Sequence, residues 1–103
     1  MIRHIVLVRF RPDVPPAEIA AIFAALHALK AAIPGISAIA DGANVSPEGL
    51  ARGFTHGFTV DFADVAARDR YLADPEHGKV GAALVGAAEG GVDGILVLDF
   101  APA

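Results

Sequence analysis

Residues Phe54 to Phe62 alternate without a break. Phe54, His56, Phe58, Val60 and Phe62 occupy one parity, and Thr55, Gly57, Thr59 and Asp61 the other. A period of two with aromatics on one side is a β-strand that buries one face. Such a strand cannot stand alone. Its backbone groups need neighbouring strands, and its aromatic side needs a second layer. The rest of the chain must therefore supply further strands and helices to cover them. A histidine inside the aromatic row, His56, is the one chemical oddity of the stretch.

The flanking segments supply what this strand needs. Arg3 to Arg11 predicts a first strand, with His4, Val6, Val8 and Phe10 on one face and Ile5, Leu7, Arg9 and Arg11 on the other. Apolar residues on both faces predict cover on both sides. Pro15-Pro16 opens a helix, since proline suits the first turn, and Glu18 lies near its positive end. Ile19, Ile22, Phe23, Leu26, Leu29 and Ile33 recur at steps of three and four, an amphipathic stripe. Pro34-Gly35 stops it. Ile36 to Val45 predicts a second strand. Ser46 to Gly53 is then a surface loop too long for a tight hairpin.

Asp64 is placed to cap a second helix, with Val65, Tyr71 and Leu72 on its buried side. Asp74-Pro75 interrupts and restarts that helix. The new segment, Glu76 to Glu89, is built of Gly and Ala around Val80, Leu84 and Val85. Gly78, Gly81 and Gly86 each weaken a helix interior by roughly 1 kcal/mol against alanine. Packing must hold this helix in place. Gly90-Gly91 and Gly94 end it, and Ile95 to Phe100 predicts the last strand.

The order β-α-β-β-α-β predicts an α+β, ferredoxin-like fold: a four-stranded antiparallel sheet with helices on one face. Residues 1–103 suffice for one domain, and 54% hydrophobic residues suffice for a core. The other sheet face offers Ile5, Leu7, Leu96, Leu98 and Phe100. Apolar surface of that extent predicts a protein partner, and a second copy covers it symmetrically. Arg9, Arg11 and Asp61 share this parity and predict paired charges at the same interface.

A net charge of −4 without a basic cluster speaks against nucleic acid or an anionic membrane as partner. No apolar run approaches the ~20 residues of a membrane helix. Ile5 to Val8 is too short for a signal-peptide core, which predicts a cytoplasmic protein. There is no cysteine for disulfides or thiolate metal sites. The four histidines lack the close spacing of a zinc site, and phosphate-loop and nucleophile-elbow patterns are absent. No cofactor is expected.

Several motifs together resemble one family. They are His4-Ile5-Val6-Leu7-Val8-Arg9-Phe10, Ile33-Pro34-Gly35, Asn44-Val45-Ser46-Pro47-Glu48 followed by Gly53-Phe54-Thr55-His56-Gly57-Phe58, Asp74-Pro75-Glu76-His77, and Leu96-Val97-Leu98-Asp99-Phe100. In this order and spacing they resemble the stress-responsive dimeric α+β barrel family over nearly the whole chain. The resemblance implies two sheets facing each other in a barrel, with helices outside. In its plant polyketide cyclase branch, a tyrosine and a histidine at the positions of Tyr71 and His77 carry an aldol cyclisation. It implies that Tyr71 holds a carbonyl and its developing oxyanion, and that His77 takes the acidic proton. His4 and His56 match cavity positions of that branch. Asp74 departs from it, replacing the histidine usual before the proline. Gly78 and the Gly/Ala run replace bulkier pocket residues.

The residues themselves allow two readings. His4 and His56 are either core histidines bonded to backbone carbonyls or part of a cavity wall. Tyr71 and His77 are six apart, which separates them on one continuous helix but lets them converge at the Pro75 joint. His77 is either a surface residue of a helix-start signal or a base. His27 lies outside the apolar stripe and is expected in solvent. The functional expectation is a cavity lined by His4, His56, Phe58, Tyr71 and His77 that takes a small, largely apolar molecule with carbonyl groups. It serves either cofactor-free proton transfer or ligand binding by a non-catalytic stress-responsive dimer.

Overall fold

A computed structural model describes residues 1–103. The elements are β1 (Ile2–Val8), α1 (Pro16–Ala32), β2 (Ile36–Ala43), β3 (His56–Phe62), α2 (Val65–Ala73), α3 (Pro75–Ala87), a 3-10 turn (Gly91–Gly94) and β4 (Ile95–Phe100). The sheet order is β2-β3-β1-β4, with every neighbouring pair antiparallel. This is the ferredoxin-like β-α-β-β-α-β arrangement, its second helix divided in two at Asp74.

Local chemistry sets the boundaries. Pro16 starts α1 without a side-chain cap, and Ile22, Phe23, Leu26 and Leu29 are its buried stripe. Gly35 follows at φ +93°, and a Cβ there would stand 2.5 Å from the Ala67 Cβ. Only glycine permits both the left-handed turn and the close approach of α2. Asp64 caps α2 through the Ala67 N–H at 2.8 Å. Asp74 ends α2 and caps α3 through the Glu76 N–H at 2.8 Å, with Pro75 in the first turn.

One side of the sheet packs on the helices. Val6, Val8, Phe58, Val60 and Phe62 join the α1 stripe, Tyr71, Val80 and Leu84 in one buried cluster. The opposite side is open. Leu96, Leu98 and Phe100 are 43%, 57% and 43% exposed, beside half-buried Ile5 and Leu7. Cross-strand pairing sets Leu7 opposite Leu96 and Ile5 opposite Leu98, a continuous apolar patch.

Several expectations change. β1 ends at Val8, because the next residues leave the ladder for the end of α3: Phe10 bridges Ala88, and the Glu89 N–H donates to the Arg9 carbonyl at 2.7 Å. β2 ends at Ala43 and β3 starts at His56, each two residues short of the predicted strand. Val65 and Leu72 lie on the exposed side of α2, since nine residues of helix give room for Ala67 and Tyr71 to be its buried contacts. The charged residues expected on the open face find partners within the chain. Asp61 binds Arg3 through two contacts of 2.9 and 3.2 Å across β1 and β3. Arg9 donates to the Asp93 carbonyl at 3.0 Å and lies over the Phe54 ring. Arg11 pairs with Asp13 and donates to the Gly86 carbonyl. His27 is not simply solvated: its Nε2 meets Asp41 at 2.5 Å, tying α1 to β2.

Candidate functional site

The break at Asp74 brings Tyr71 and His77 together. Their rings lie 4.2 Å apart, tilted by 46°. Six residues on an unbroken helix would place them on different faces. Restarting the helix at Pro75 turns His77 back over the end of α2. Tyr71 is fully buried and meets Phe62 at 4.9 Å and the edge of His4 at 5.9 Å. The three polar rings form a row: His4 from β1, Tyr71 from α2, His77 from α3.

This row borders a cavity of about 230 Å³ between sheet and helices. Most of its wall is apolar, including Val6, Phe58, Val80 and Leu84. Its volume falls below the ~300–1,000 Å³ usual for drug-sized ligands, so any occupant is small. His4, Phe58, Tyr71 and His77 line it as the sequence predicts. His56 does not. It sits toward the other end of β3, with its ring 5.1 Å from Phe10 and 5.9 Å from Phe23, and Nδ1 bonded to the Thr55 hydroxyl oxygen at 2.9 Å. It borders a separate groove of about 430 Å³ formed with residues 44–54. Parity placed it on the same face as His4, but β1 and β3 run antiparallel, and His56 pairs with Val8 rather than His4.

The electrostatics separate the two cavity histidines. His4 is directly opposite Asp99 in the β1–β4 ladder, and its Nδ1 stands 2.6 Å from an Asp99 oxygen. An ionised carboxylate only accepts, so His4 donates through its Nδ1–H. The other Asp99 oxygen accepts from Arg68 at 2.9 Å, and Arg68 also binds Asp69. Burial would raise the Asp99 carboxyl, but the hydrogen bonds from Arg68 and His4 outweigh it and hold it below its ordinary value. His77 lacks such an anchor. Its Nδ1 is buried without a hydrogen-bond partner. Burial first, then the neighbouring His4, lower its pKa, while the Leu72 carbonyl and Asp74 pull the other way. The lowering causes win, so His77 is neutral at physiological pH, and its unpaired Nδ1 is left to a ligand as donor or acceptor. Burial pushes the Tyr71 hydroxyl up to about 12, so it stays protonated and can donate.

Sequence periodicity singled out neither Asp99 nor Arg68. A signal for Asp99 existed: with Ile95 and Val97 it shares the inward parity of β4, where a carboxylate demands a partner. Asp99→Asn should cost on the order of 1–3 kcal/mol at neutral pH by weakening charged hydrogen bonds. A depressed carboxyl stabilises the fold above its unfolded pKa, and that contribution is lost as pH falls through the lower folded value. Denaturation midpoints of wild type should therefore drop toward those of Asp99→Asn below about pH 4. Parallel acid limbs would show that the Arg68–Asp99–His4 chain does not stabilise the fold.

Comparison with known proteins agrees with the fold. The family model for the stress responsive A/B barrel domain matches residues 2–102. The chain is 30% identical to the stress-response A/B barrel domain-containing protein HS1 of Arabidopsis thaliana over 98% of its own length and 89% of that protein. Among solved structures, a dimeric ferredoxin-like protein of unknown function from Jannaschia sp. CCS1 superposes with a TM-score of 0.91 at 31% identity, covering 98% of both chains. The hydroxynitrile lyase of Passiflora edulis superposes at 0.85 with 27% identity, over 96% of this chain and 90% of that one. No helix is long and apolar enough to cross a membrane. The match spans every element from β1 to β4, so the chain belongs to the stress-responsive A/B barrel domain family.

Proposed function

We propose that this chain is a cofactor-free enzyme of carbonyl chemistry, working as a homodimer joined through the open sheet face. The observation that carries the reading is the neutral His77, its buried Nδ1 unpaired, set against the Tyr71 ring at the wall of an apolar cavity. The Tyr71 hydroxyl donates to the substrate carbonyl oxygen and to the negative charge that develops there. His77 takes a proton from the substrate and returns it. A lowered pKa keeps the ring free to accept that proton at neutral pH, and the apolar wall strengthens each polar contact. His4, oriented by Asp99, borders the same space and favours a neutral His77.

The hydroxynitrile lyase among the structural neighbours supports this class of chemistry. Cleaving a hydroxynitrile removes the hydroxyl proton and breaks the bond to the nitrile carbon, leaving a carbonyl and a cyanide ion that takes up the proton; an aldol cyclisation removes a carbon-bound proton next to a carbonyl. Both need a neutral base and a donor to oxygen within one dry pocket. The apolar wall of the cavity supports a second reading as well, in which it only binds such a molecule.

Proton exchange tests the reading without knowledge of the natural substrate. A small β-diketone in heavy water should lose its central protons faster with the protein than in buffer, as followed by NMR. His77→Ala should return the rate to the buffer level, a loss of roughly 10²–10⁴-fold. Tyr71→Phe should lose less, roughly 10²-fold or below, because the base remains. Exchange that survives His77→Ala eliminates the proposed base. Binding of the diketone without accelerated exchange favours the second reading.

A further inference from the structure

The three glycines inside α3 are not there for backbone reasons. None of Gly78, Gly81 and Gly86 has a positive φ, and a Cβ on any of them would meet no atom within 4 Å. Each makes the helix weaker than alanine would. Gly78 and Gly86 are exposed, whereas Gly81 lines the cavity. The cavity-facing stripe of α3 is His77, Val80, Gly81, Leu84 and Val85, at helical steps of three and four. Along it Gly81 stands one turn from His77, about 6 Å, and Val85 one turn further. Beyond Gly81 the cavity ends among Val85, Val92 and Val97, all exposed at 39%, 69% and 56%. The polar rings thus lie at one end, an apolar rim at the other, and the missing side chain of Gly81 between them.

We propose that Gly81 sets the length of substrate the cavity accepts. Its bare backbone lets an unbranched alkyl tail run from a carbonyl at Tyr71 and His77 out to the rim formed by Val85, Val92 and Val97. A Cβ at this position would meet nothing in the protein and would instead narrow the path of the tail. The inference rests on the reading that the cavity takes a carbonyl compound, and it names the substrate class: straight-chain aliphatic carbonyl compounds.

The test uses straight-chain methyl ketones: acetone, methyl propyl, methyl pentyl and methyl heptyl ketone. Each is titrated into the full chain and followed by NMR at the backbone amides of Tyr71 and His77. Wild-type affinity should rise roughly three- to fourfold per added methylene until the tail clears the rim. In Gly81→Leu the rise should stop near methyl propyl ketone, leaving methyl pentyl ketone on the order of tenfold weaker than in wild type and methyl heptyl ketone weaker still. Gly81→Ala should melt roughly 4–8 °C higher and show a smaller loss in the same direction, so the inference stays testable if the leucine variant folds poorly. Gly86→Ala should gain similar stability and bind every ketone as wild type does. Equal chain-length profiles in wild type and both Gly81 variants would overturn the role of Gly81 and leave carbonyl binding standing. No binding of any ketone by the wild type would overturn both.

Discussion

Leu7→Asp combined with Leu98→Asp should convert the protein from a dimer to a folded monomer. Sedimentation or light scattering should read 10.5 kDa for the variant and twice that for the wild type. The two residues lie on the open face, one half-buried and one 57% exposed, outside the buried cluster that holds sheet to helices. Apolar patches of this kind seldom stay in water, and a specific interface here would cover more than about 1,000 Å² in total. Four carboxylates buried in one interface would each cost several kcal/mol to desolvate. Asp61 and Arg3, the charged pair on that face, already satisfy each other and offer no compensation. The helix side of each subunit is untouched, so circular dichroism should keep its helical signal. A variant that remains dimeric would move the interface elsewhere. A wild-type monomer at micromolar concentration would remove the open-face dimer altogether.

Phe62→Ala should lower unfolding free energy by about 3–5 kcal/mol, the range for deleting a buried aromatic side chain. Phe62 has no exposed surface. It ends β3 opposite Ile2 and Ile36, and its ring meets Tyr71 at 4.9 Å and His4 at 6.2 Å. A domain of this size holds roughly 5–15 kcal/mol in all, so the loss takes a large share. Denaturant midpoints must be compared at equal protomer concentration, because dimerisation adds to apparent stability. The same deletion removes the wall behind Tyr71, so ketone affinity should fall as well. Phe62→Leu keeps most of the volume and should cost less than half as much. A loss below about 1 kcal/mol in the alanine variant would mean that this end of the core closes over the gap.

The sequence by itself determined the element order, the partition of the sheet into two faces, and the joint at Asp74-Pro75. These are local matters. A period of two, a stripe at three and four, a carboxylate that caps a first turn, and a proline that lacks an N–H all act within a few residues. They placed His4, Phe58, Tyr71 and His77 toward one compartment, and the cavity includes all four. Parity could not say how far along the sheet a residue lies. His56 has the right face and the wrong end, because position along a strand follows from antiparallel register, which forms between distant segments.

The tertiary structure alone decided the electrostatics. His4 and Asp99 are 95 positions apart, and no local rule pairs them; the β1–β4 ladder does. That pairing fixes the orientation of His4. The buried, unpartnered Nδ1 of His77 likewise depends on how α3 settles over α2, not on its neighbours in sequence. Gly81 shows the division most plainly. In sequence it is one of three helix-weakening glycines, and only packing reveals that it alone borders the cavity. Local propensity governs which segments become helix or strand, whereas pKa, tautomer and free volume are set by atoms that folding brings from elsewhere in the chain.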